Sequence, residues 1–191
     1  MRAPGTTDVY APAEDTAALA RALRAYSGEM FLEIGFGSGA ILQGAVARFR
    51  LVVGTDLLTV KQAVSLKVDE ADMVLSDRAS CFRPGVFDVV AFNPPYLPSE
   101  KVDDRTVDGG RGGLEVPLSF LDDAVRVLRP GGVVVMIVSD EANLDDFRKA
   151  CEARGLRVSE RARTSVFFEN LVVFEVRRDP SVESHARNRV S

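Results

Sequence analysis

The sequence predicts an α/β protein with a doubly wound, mostly parallel sheet. Short apolar runs rich in β-branched residues recur along the chain and are separated by helical patterns. Several of these runs end in a polar residue, and the carboxyl ends of parallel strands are where such sheets bind ligands. The last two runs follow each other with no helix between them. Two such strands must pair antiparallel or lie apart, so we expect the sheet to end in a hairpin.

Length and composition bound the protein further. We expect one domain over residues 1–179 and a polar tail over 180–191. The net charge is −4, from 24 basic and 28 acidic side chains, and no basic stripe is visible, which argues against a nucleic-acid partner on electrostatic grounds. No apolar run approaches the roughly 20 residues of a membrane span, and the N-terminus lacks a signal-peptide core. We therefore expect a cytoplasmic protein without a membrane partner.

The residue types that bind metals are scarce. The two cysteines, Cys81 and Cys151, lie in unrelated contexts without metal-ligand spacing. The single histidine, His185, falls in the polar tail. We predict reduced thiols and no metal site.

The first predicted helix lies within the stretch from Val9 to Tyr26, where Leu19 and Leu23 have helical spacing. Asp15 or Thr16 would cap this helix. Alternatively, Thr16 also faces a ligand.

The first predicted strand, Met30–Ile34, leads into a turn with alternating glycines, Gly35, Gly37 and Gly39. Such glycines permit a tight turn and close approach of the backbone to a ligand, and the following helix would point its positive N-terminus at an anionic group. The turn alone also fits a dinucleotide site. Glu33 favours another ligand, because a carboxylate would repel a pyrophosphate but could bind the ammonium group of S-adenosyl-L-methionine. The alternative for Glu33 is a strand-end residue that meets water or a lysine.

Two further predicted strands, Leu51–Asp56 and Ala71–Asp77, each end in an acid, with a short helix between them over Val60–Lys67. Asp56 lies where doubly wound folds place the carboxylate that binds ribose hydroxyls. Asp77 could accept a hydrogen bond from the exocyclic amine of an adenine, with Arg78 beside it. A plain turn residue is the alternative for Asp77.

The fourth predicted strand, Val86–Phe92, delivers Asn93 to the same edge of the sheet. Pro94 and Pro95 have no N–H group for a sheet ladder, so the strand must end at Asn93. Tyr96 adds an aromatic ring. A plain exit from strand to turn is the alternative interpretation.

The rest of the chain completes the predicted sheet. A long connection over 97–115 is glycine-rich near its end, and its place just after Asn93 predicts a lid or substrate-binding loop. The remaining predicted features are a helix from Pro117 that ends at Arg129–Gly132, a strand at Val133–Val138, a helix capped by Asp140, and the hairpin strands 156–163 and 165–177.

The assembled pattern resembles class I S-adenosylmethionine-dependent methyltransferases, whose Rossmann-like seven-stranded sheet ends in an antiparallel hairpin. A narrower resemblance covers about Val9 to Arg177. The stretches Val9–Thr16, Asn93–Tyr96 (the NPPY motif) and Gly109–Gly113 are similar to those of the HemK family of protein glutamine methyltransferases. The opening Tyr-x-Pro-x-Glu-Asp-Thr is similar to the archaeal and eukaryotic branch. The bacterial branch carries an N-terminal helical substrate-binding domain that we do not find here. Residues 57–59 depart from the family's pattern, which affects only the fine contacts to ribose and adenine.

The resemblance implies a substrate, a cofactor and a partner. Members of that branch methylate the glutamine of the Gly-Gly-Gln motif in class I peptide-release factors, converting S-adenosyl-L-methionine to S-adenosyl-L-homocysteine. A small zinc-binding activator protein commonly covers an exposed sheet edge in the family, which here would be the third strand. The implied cofactor-binding residues are Thr16, Glu33, Gly35, Gly37, Gly39, Asp56, Asp77, Arg78 and Asn93.

The expected mechanism is direct transfer of a methyl group to an amide nitrogen, which is a poor nucleophile because its lone pair is delocalised. We assign catalytic roles to Asn93, Pro94 and Tyr96, and substrate contacts to these residues and Pro95. The Asn93 side-chain oxygen and the Pro94 carbonyl would accept hydrogen bonds from the substrate NH₂, while Tyr96 packs on the planar amide. No residue is assigned as a general base.

Other functions remain open from the sequence. The first alternative is an adenine-N6 or guanine-N2 methyltransferase acting on DNA, rRNA or tRNA, which would need a base-flipping platform. A protein lysine methyltransferase would first need to deprotonate an ammonium group. A non-enzymatic cofactor-binding protein and a nicotinamide oxidoreductase complete the alternatives.

Overall fold

The fold is that of a computed structural model, which describes residues 14–57, 66, 68–99, 107–166 and 169–180. Nearly all of the predicted helix Val60–Lys67, the middle of the 97–115 loop and the tail beyond residue 180 lie outside the described residues. The division into a domain over 1–179 and a tail therefore stays a prediction.

A seven-stranded sheet organises the described residues, in the order β3-β2-β1-β4-β7-β9-β8. Strands β1 to β4 and β7 pair parallel with their neighbours, whereas β9 pairs antiparallel with both β7 and β8. The predicted fold and its terminal hairpin are confirmed. The strands of this sheet are β1 (Gly28–Ile34), β2 (Phe49–Asp56), β3 (Asp72–Leu75), β4 (Phe87–Phe92), β7 (Leu128–Ser139), β8 (Leu156–Val166) and β9 (Glu169–Arg178).

Helices cover both faces of this sheet, and a small two-stranded ladder lies apart from it. The ladder joins β5 (Leu97–Pro98) to β6 (Asp108–Gly110), followed by a 3₁₀ turn at Arg111–Gly113. The described helices are α1 (Glu14–Leu23), α2 (Ala40–Ala45), α3 (Glu115–Val127) and α4 (Leu144–Glu152). None of them is both long and apolar enough to cross a membrane.

Alternation along the strands divides the core into two layers. Successive side chains of a strand point to opposite faces, so Phe31 joins the layer that holds α1, whereas Leu32 joins the layer that holds α3 and α4. Strand β4 is buried along its whole length, as expected for a central parallel strand. The carboxyl end of β4 is therefore fixed from both sides.

Strand β7 starts earlier than predicted. The expected start was Val133, with Arg129–Gly132 acting as a helix stop, but β7 begins at Leu128 directly after α3. Leu128 pairs with Phe87, and the register shifts before Val133 pairs with Val89. Gly131, with φ 78°, lies in this irregularity, so the glycines interrupt a strand and do not form a loop.

The predicted helix cap at Asp140 was wrong. The N-cap of α4 is Asn143, whose side chain accepts a hydrogen bond from the Asp146 backbone N–H at 3.1 Å. Asp140 instead accepts from the backbone N–H and the side-chain amide of Asn170, at 2.8 and 2.7 Å. These hydrogen bonds lower the pKa of Asp140 and connect the end of β7 to the start of β9.

Candidate active site

Several of the predicted site residues lie side by side at the carboxyl edge of the sheet. Strand β1 lies between β2 and β4, and its last residue, Ile34, pairs with Thr55 on one side and Phe92 on the other. The glycine turn, Asp56 and Asn93 therefore follow directly on three adjacent parallel strands. The structure brings these groups together as the sequence predicted.

The glycine turn is held by its own strand neighbours. The Gly35 N–H donates to the Thr55 carbonyl at 2.7 Å, and the Gly37 N–H donates to Asp56 Oδ2 at 2.9 Å. Gly35 has φ 75°, and a Cβ built there meets no atom of the described residues within 4 Å. At Gly35 the backbone therefore leaves room for close approach by a ligand, whereas a Cβ at Gly39 would lie 2.5 Å from Val68.

Glu33 is a buried carboxyl group with an unused oxygen. Its side chain is 4% exposed, and its Oε2 has no hydrogen-bond partner among the described residues. Burial raises the pKa of Glu33 well above its usual value. A hydrogen bond from the Leu42 backbone N–H opposes this shift, and the nearby Asp56 charge adds to it. A buried acceptor without a partner is costly, so the site is suited to a ligand that donates to Oε2.

Asn93 is oriented by a residue of α1. Its Nδ2 group donates to Asp15 Oδ2 at 2.8 Å. Its Oδ1 is buried and has no hydrogen-bond partner among the described residues. The next residue, Pro94, is also buried. Its ring fixes φ and so restricts the backbone where the chain leaves β4. The free acceptor on Asn93 is the group that the sequence analysis assigned to an NH₂-bearing substrate.

The glycine-rich stretch packs against the backbone of Tyr96. A Cβ at Gly109 would lie 2.7 Å from Tyr96 Cα, and one at Gly113 would clash with the Tyr96 carbonyl oxygen. The Leu97 N–H also donates to the Val107 carbonyl at 2.9 Å. These glycines therefore allow the described end of the 97–115 loop to lie directly on the NPPY motif.

Three further residues, Thr16, Asp77 and Arg78, were also predicted to contact the cofactor. Thr16 is half-buried, next to Asp15 on α1. Asp77 is exposed and forms an ion pair with Arg78 at 3.3 Å. Arg78 also forms an ion pair with Asp123 of α3 at 3.4 Å. Contacts of these three residues with a cofactor stay a prediction.

The sequence analysis missed the role of Asp15 toward Asn93. The predicted cap at Asp15 was wrong, because α1 includes Glu14 and Asp15 therefore lies inside the helix, where its Oδ1 accepts from the backbone N–H of Thr16 at 2.6 Å. The second oxygen reaches a residue 78 positions away. No local pattern links two such distant residues. Among the described residues, no cluster of three or more metal-binding side chains is present.

Comparison with known proteins identifies relatives along most of the chain, although no protein-family model matches it. A putative protein N5-glutamine methyltransferase of Methanocaldococcus jannaschii is 33% identical over 184 residues, covering 90% of this chain and 92% of that protein. Methyltransferase HEMK2 of Mus musculus is 33% identical over 172 residues, covering 78% and 80%. The solved structure of the E. cuniculi Mtq2–Trm112 complex contains a chain that is 28% identical, with a TM-score of 0.77 over 91% of this chain and all of that one.

These relatives support an assignment to a family because the similarity covers 80% or more of the length of each one. They also confirm the predicted enzyme class and its cofactor, S-adenosyl-L-methionine. The chain belongs to the HemK family of protein N5-glutamine methyltransferases.

Proposed function

We propose that the protein methylates the side-chain amide of the glutamine in the Gly-Gly-Gln motif of a class I peptide-release factor. The observation that carries this proposal is the buried Oδ1 of Asn93 at the carboxyl edge of the sheet, which has no hydrogen-bond partner in the described part of the chain. The Mtq2–Trm112 structure is described as responsible for the methylation of the translation termination factor eRF1. A release-factor substrate would place the reaction in the cytoplasm, as the sequence predicted.

The site fits S-adenosyl-L-methionine by two independent features. Glu33 Oε2, which no described residue contacts by a hydrogen bond, suits the ammonium group of the methionine part. The space that the described residues leave at Gly35 suits close approach to the backbone. Asp56 would accept from ribose hydroxyls while it holds the glycine turn through Gly37. The residues that would hold the cofactor are those of the sequence prediction: Thr16, Glu33, Gly35, Gly37, Gly39, Asp56, Asp77, Arg78 and Asn93.

When bound, this cofactor would supply a methyl group on a positively charged sulfur, which would leave with the bonding electrons as the lone pair of the substrate nitrogen forms the new bond. The methylated nitrogen would then release one proton to water. The protein's own part is to make the amide lone pair available. Asn93 Oδ1 and the Pro94 carbonyl would accept from the substrate NH₂ and orient it, and Tyr96 would pack on the amide plane. Positioning of this kind can supply several kcal/mol of the barrier reduction.

The substrate and the role of Asn93 can be tested together. We expect the purified protein to methylate a release factor but not DNA or rRNA. Asn93→Ala should lower kcat by about 100-fold or more, because the acceptor that orients the amide is removed. Cofactor affinity should change by less than about threefold, since the main cofactor contacts lie on β1 and β2.

The assay follows transfer of a labelled methyl group at saturating cofactor, and titration calorimetry gives cofactor affinity. A release factor whose motif glutamine is replaced by alanine serves as the substrate control. Transfer only to nucleic acid would favour the adenine or guanine alternative. Full turnover by Asn93→Ala would show that the mechanism is wrong.

We also propose that a small zinc-binding activator protein docks on the β3 edge. Strand β3 is short and forms one edge of the sheet. Two of the three large apolar side chains that are exposed among the described residues lie at this side, Leu57 at 60% and Leu75 at 43%. Exposed apolar groups beside an open strand edge suit a protein partner. The related Mtq2 was solved in complex with Trm112.

Co-purification tests the docking site. We expect a Trm112-type protein to co-elute with the wild-type chain, and Leu75→Glu to weaken the complex by about tenfold or more, because a charge would be buried at the contact. Leu97→Glu is the matched control, since Leu97 is also exposed but lies on β5. Equal co-elution of both variants would contradict a contact at β3.

A further inference from the structure

The side-chain amide of Asn93 can take two orientations that differ by a half-turn and have nearly the same shape. In one, the NH₂ faces Asp15 and the oxygen faces the site. In the other, the two groups exchange places. Only the first orientation offers an acceptor to a substrate NH₂, so the choice between them decides whether the site can hold its substrate.

We propose that Asp15 is a positioning residue that fixes this orientation and thereby makes Asn93 an acceptor toward the substrate. An ionised carboxylate accepts hydrogen bonds and donates none, so it is compatible only with the NH₂ of Asn93. The observed bond from Asn93 Nδ2 to Asp15 Oδ2, at 2.8 Å, has this polarity. The inference rests on the proposed function and adds a residue to it.

Asp15 is well placed to impose the orientation. Its side chain is 4% exposed, which limits competition from water. Its other oxygen accepts from the Thr16 N–H at 2.6 Å in the first turn of α1, where a negative charge is favoured. Each carboxylate oxygen therefore has a defined partner, and Oδ2 is directed at Asn93.

Helix α1 is itself anchored to the sheet at a distance from the site. Ala18, Leu19 and Leu23 are buried in the core layer on this face. Beyond the helix, the Tyr26 hydroxyl donates to Glu175 of β9 at 2.5 Å. The position of Asp15 is thus set by the packing of α1 against the sheet.

The charge of Asp15 has a second consequence. A hydrogen bond from the Asn93 NH₂ to a carboxylate polarises the amide, which makes Oδ1 a stronger acceptor. The substrate nitrogen becomes more positive as its lone pair is used, so its N–H groups become stronger donors to Oδ1. The pair therefore stabilises the transition state more than the ground state.

A reversal of polarity tests the inference. In Asp15→Asn, the side-chain oxygen can keep the Thr16 N–H, which leaves an NH₂ facing residue 93 and turns the Asn93 amide round. We expect kcat to fall by about 100-fold, with cofactor affinity and Tm little changed. In the double variant Asp15→Asn with Asn93→Asp, the NH₂ group at position 15 can donate to one carboxylate oxygen at position 93. The other oxygen at position 93 then faces the substrate. This double variant should be at least about tenfold faster than Asn93→Asp alone.

The matched control is Glu14→Gln, which removes an exposed carboxylate from the same turn of α1 and should leave kcat unchanged. Wild-type kcat in Asp15→Asn would overturn the inference. The inference would also be overturned if Asp15→Asn lost cofactor affinity or Tm along with its activity and the double variant did not recover activity. Asp15 would then only support the fold.

A nuclear magnetic resonance measurement separates this inference from the proposed function. The Asn93 side-chain NH₂ signals of the wild-type protein should show the downfield shift of a bond to a carboxylate and lose it in Asp15→Asn. If the wild type fails to methylate any release factor but the signals behave in this way, the proposed function fails while the orienting role of Asp15 stands. Unchanged signals in Asp15→Asn would overturn the role of Asp15.

Discussion

Two buried glutamates on the same face of the sheet have opposite electrostatic environments. Glu33 ends β1 at the site and is 4% exposed, and Glu175 on β9 is 5% exposed. Glu33 keeps an oxygen without a partner among the described residues. Glu175 accepts from Arg161, Arg177 and the Tyr26 hydroxyl, at 2.7, 2.8 and 2.5 Å.

The pKa values of the two groups follow this difference. Burial raises the pKa of Glu33, and a single backbone hydrogen bond does not compensate. Burial would also raise the pKa of Glu175, but hydrogen bonds from Arg177, Arg161 and Tyr26 outweigh it and lower the pKa to about 2. Burial and the charge of Glu175 raise the pKa of Tyr26 to about 12. A satisfied buried carboxylate supports the fold, whereas an unsatisfied one is available to a ligand.

The largest expected effect is on cofactor binding at Glu33. Glu33→Gln should weaken S-adenosyl-L-methionine binding by about 100-fold, because the carboxylate that pairs with the ammonium group is lost; this equals about 2.7 kcal/mol. Titration calorimetry measures it. Glu29→Gln is the control, since Glu29 lies on the same strand but in a surface ion pair with Arg50. Equal cofactor affinities of the Glu33→Gln variant and the wild type would show that Glu33 does not bind the cofactor.

The raised pKa of Glu33 adds a pH dependence with a defined sign. Burial in the free protein shifts Glu33 toward its protonated form, whereas a bound ammonium group would favour the carboxylate. Cofactor binding should therefore release a proton, and affinity should rise with pH up to the raised pKa. Calorimetry in two buffers with different ionisation enthalpies detects this proton. The same shift means that ionising Glu33 costs stability as pH rises, so Glu33→Gln should be at least as stable as the wild type at pH 8.

The smaller expected effect is on stability at Glu175. Glu175→Gln should lower the free energy of unfolding by about 2 kcal/mol at pH 7, because charged hydrogen bonds in a buried site are lost. Cofactor affinity should remain that of the wild type. Denaturant unfolding measures the difference, and Glu160→Gln is the control, because Glu160 is a more exposed acid that pairs with Arg163 on β8.

The pH dependence of this effect runs opposite to that of Glu33. A lowered folded-state pKa gives stability that is present above the usual value of 4.5 and is lost as pH falls toward about 2. The difference between wild type and Glu175→Gln should therefore shrink over this range. A constant difference down to pH 2 would show that the ion pairs do not hold the carboxylate.

Much of the site followed from local sequence. The prolines after Asn93 fix where β4 ends, and the glycines after Glu33 require a turn, so the edge of the sheet could be predicted without the structure. The N-cap of α4 could not be predicted from the sequence, because Asp140 and Asn143 are both good capping residues and lie three positions apart. The pairing of Asp140 with Asn170, across two strands, decided between them.

The sequence by itself determined the fold class, the order of strand ends and the residue types that they carry, since these depend on periodicity and on backbone restrictions of glycine and proline. Glu33 and Glu175 look alike in sequence, because each is an acid flanked on both sides by apolar residues. Only the tertiary structure decided which has partners, and that Asp15 meets Asn93 across 78 positions. The reason is physical: hydrogen-bond partners and burial depend on which distant segments the fold brings together, and local sequence carries no record of that.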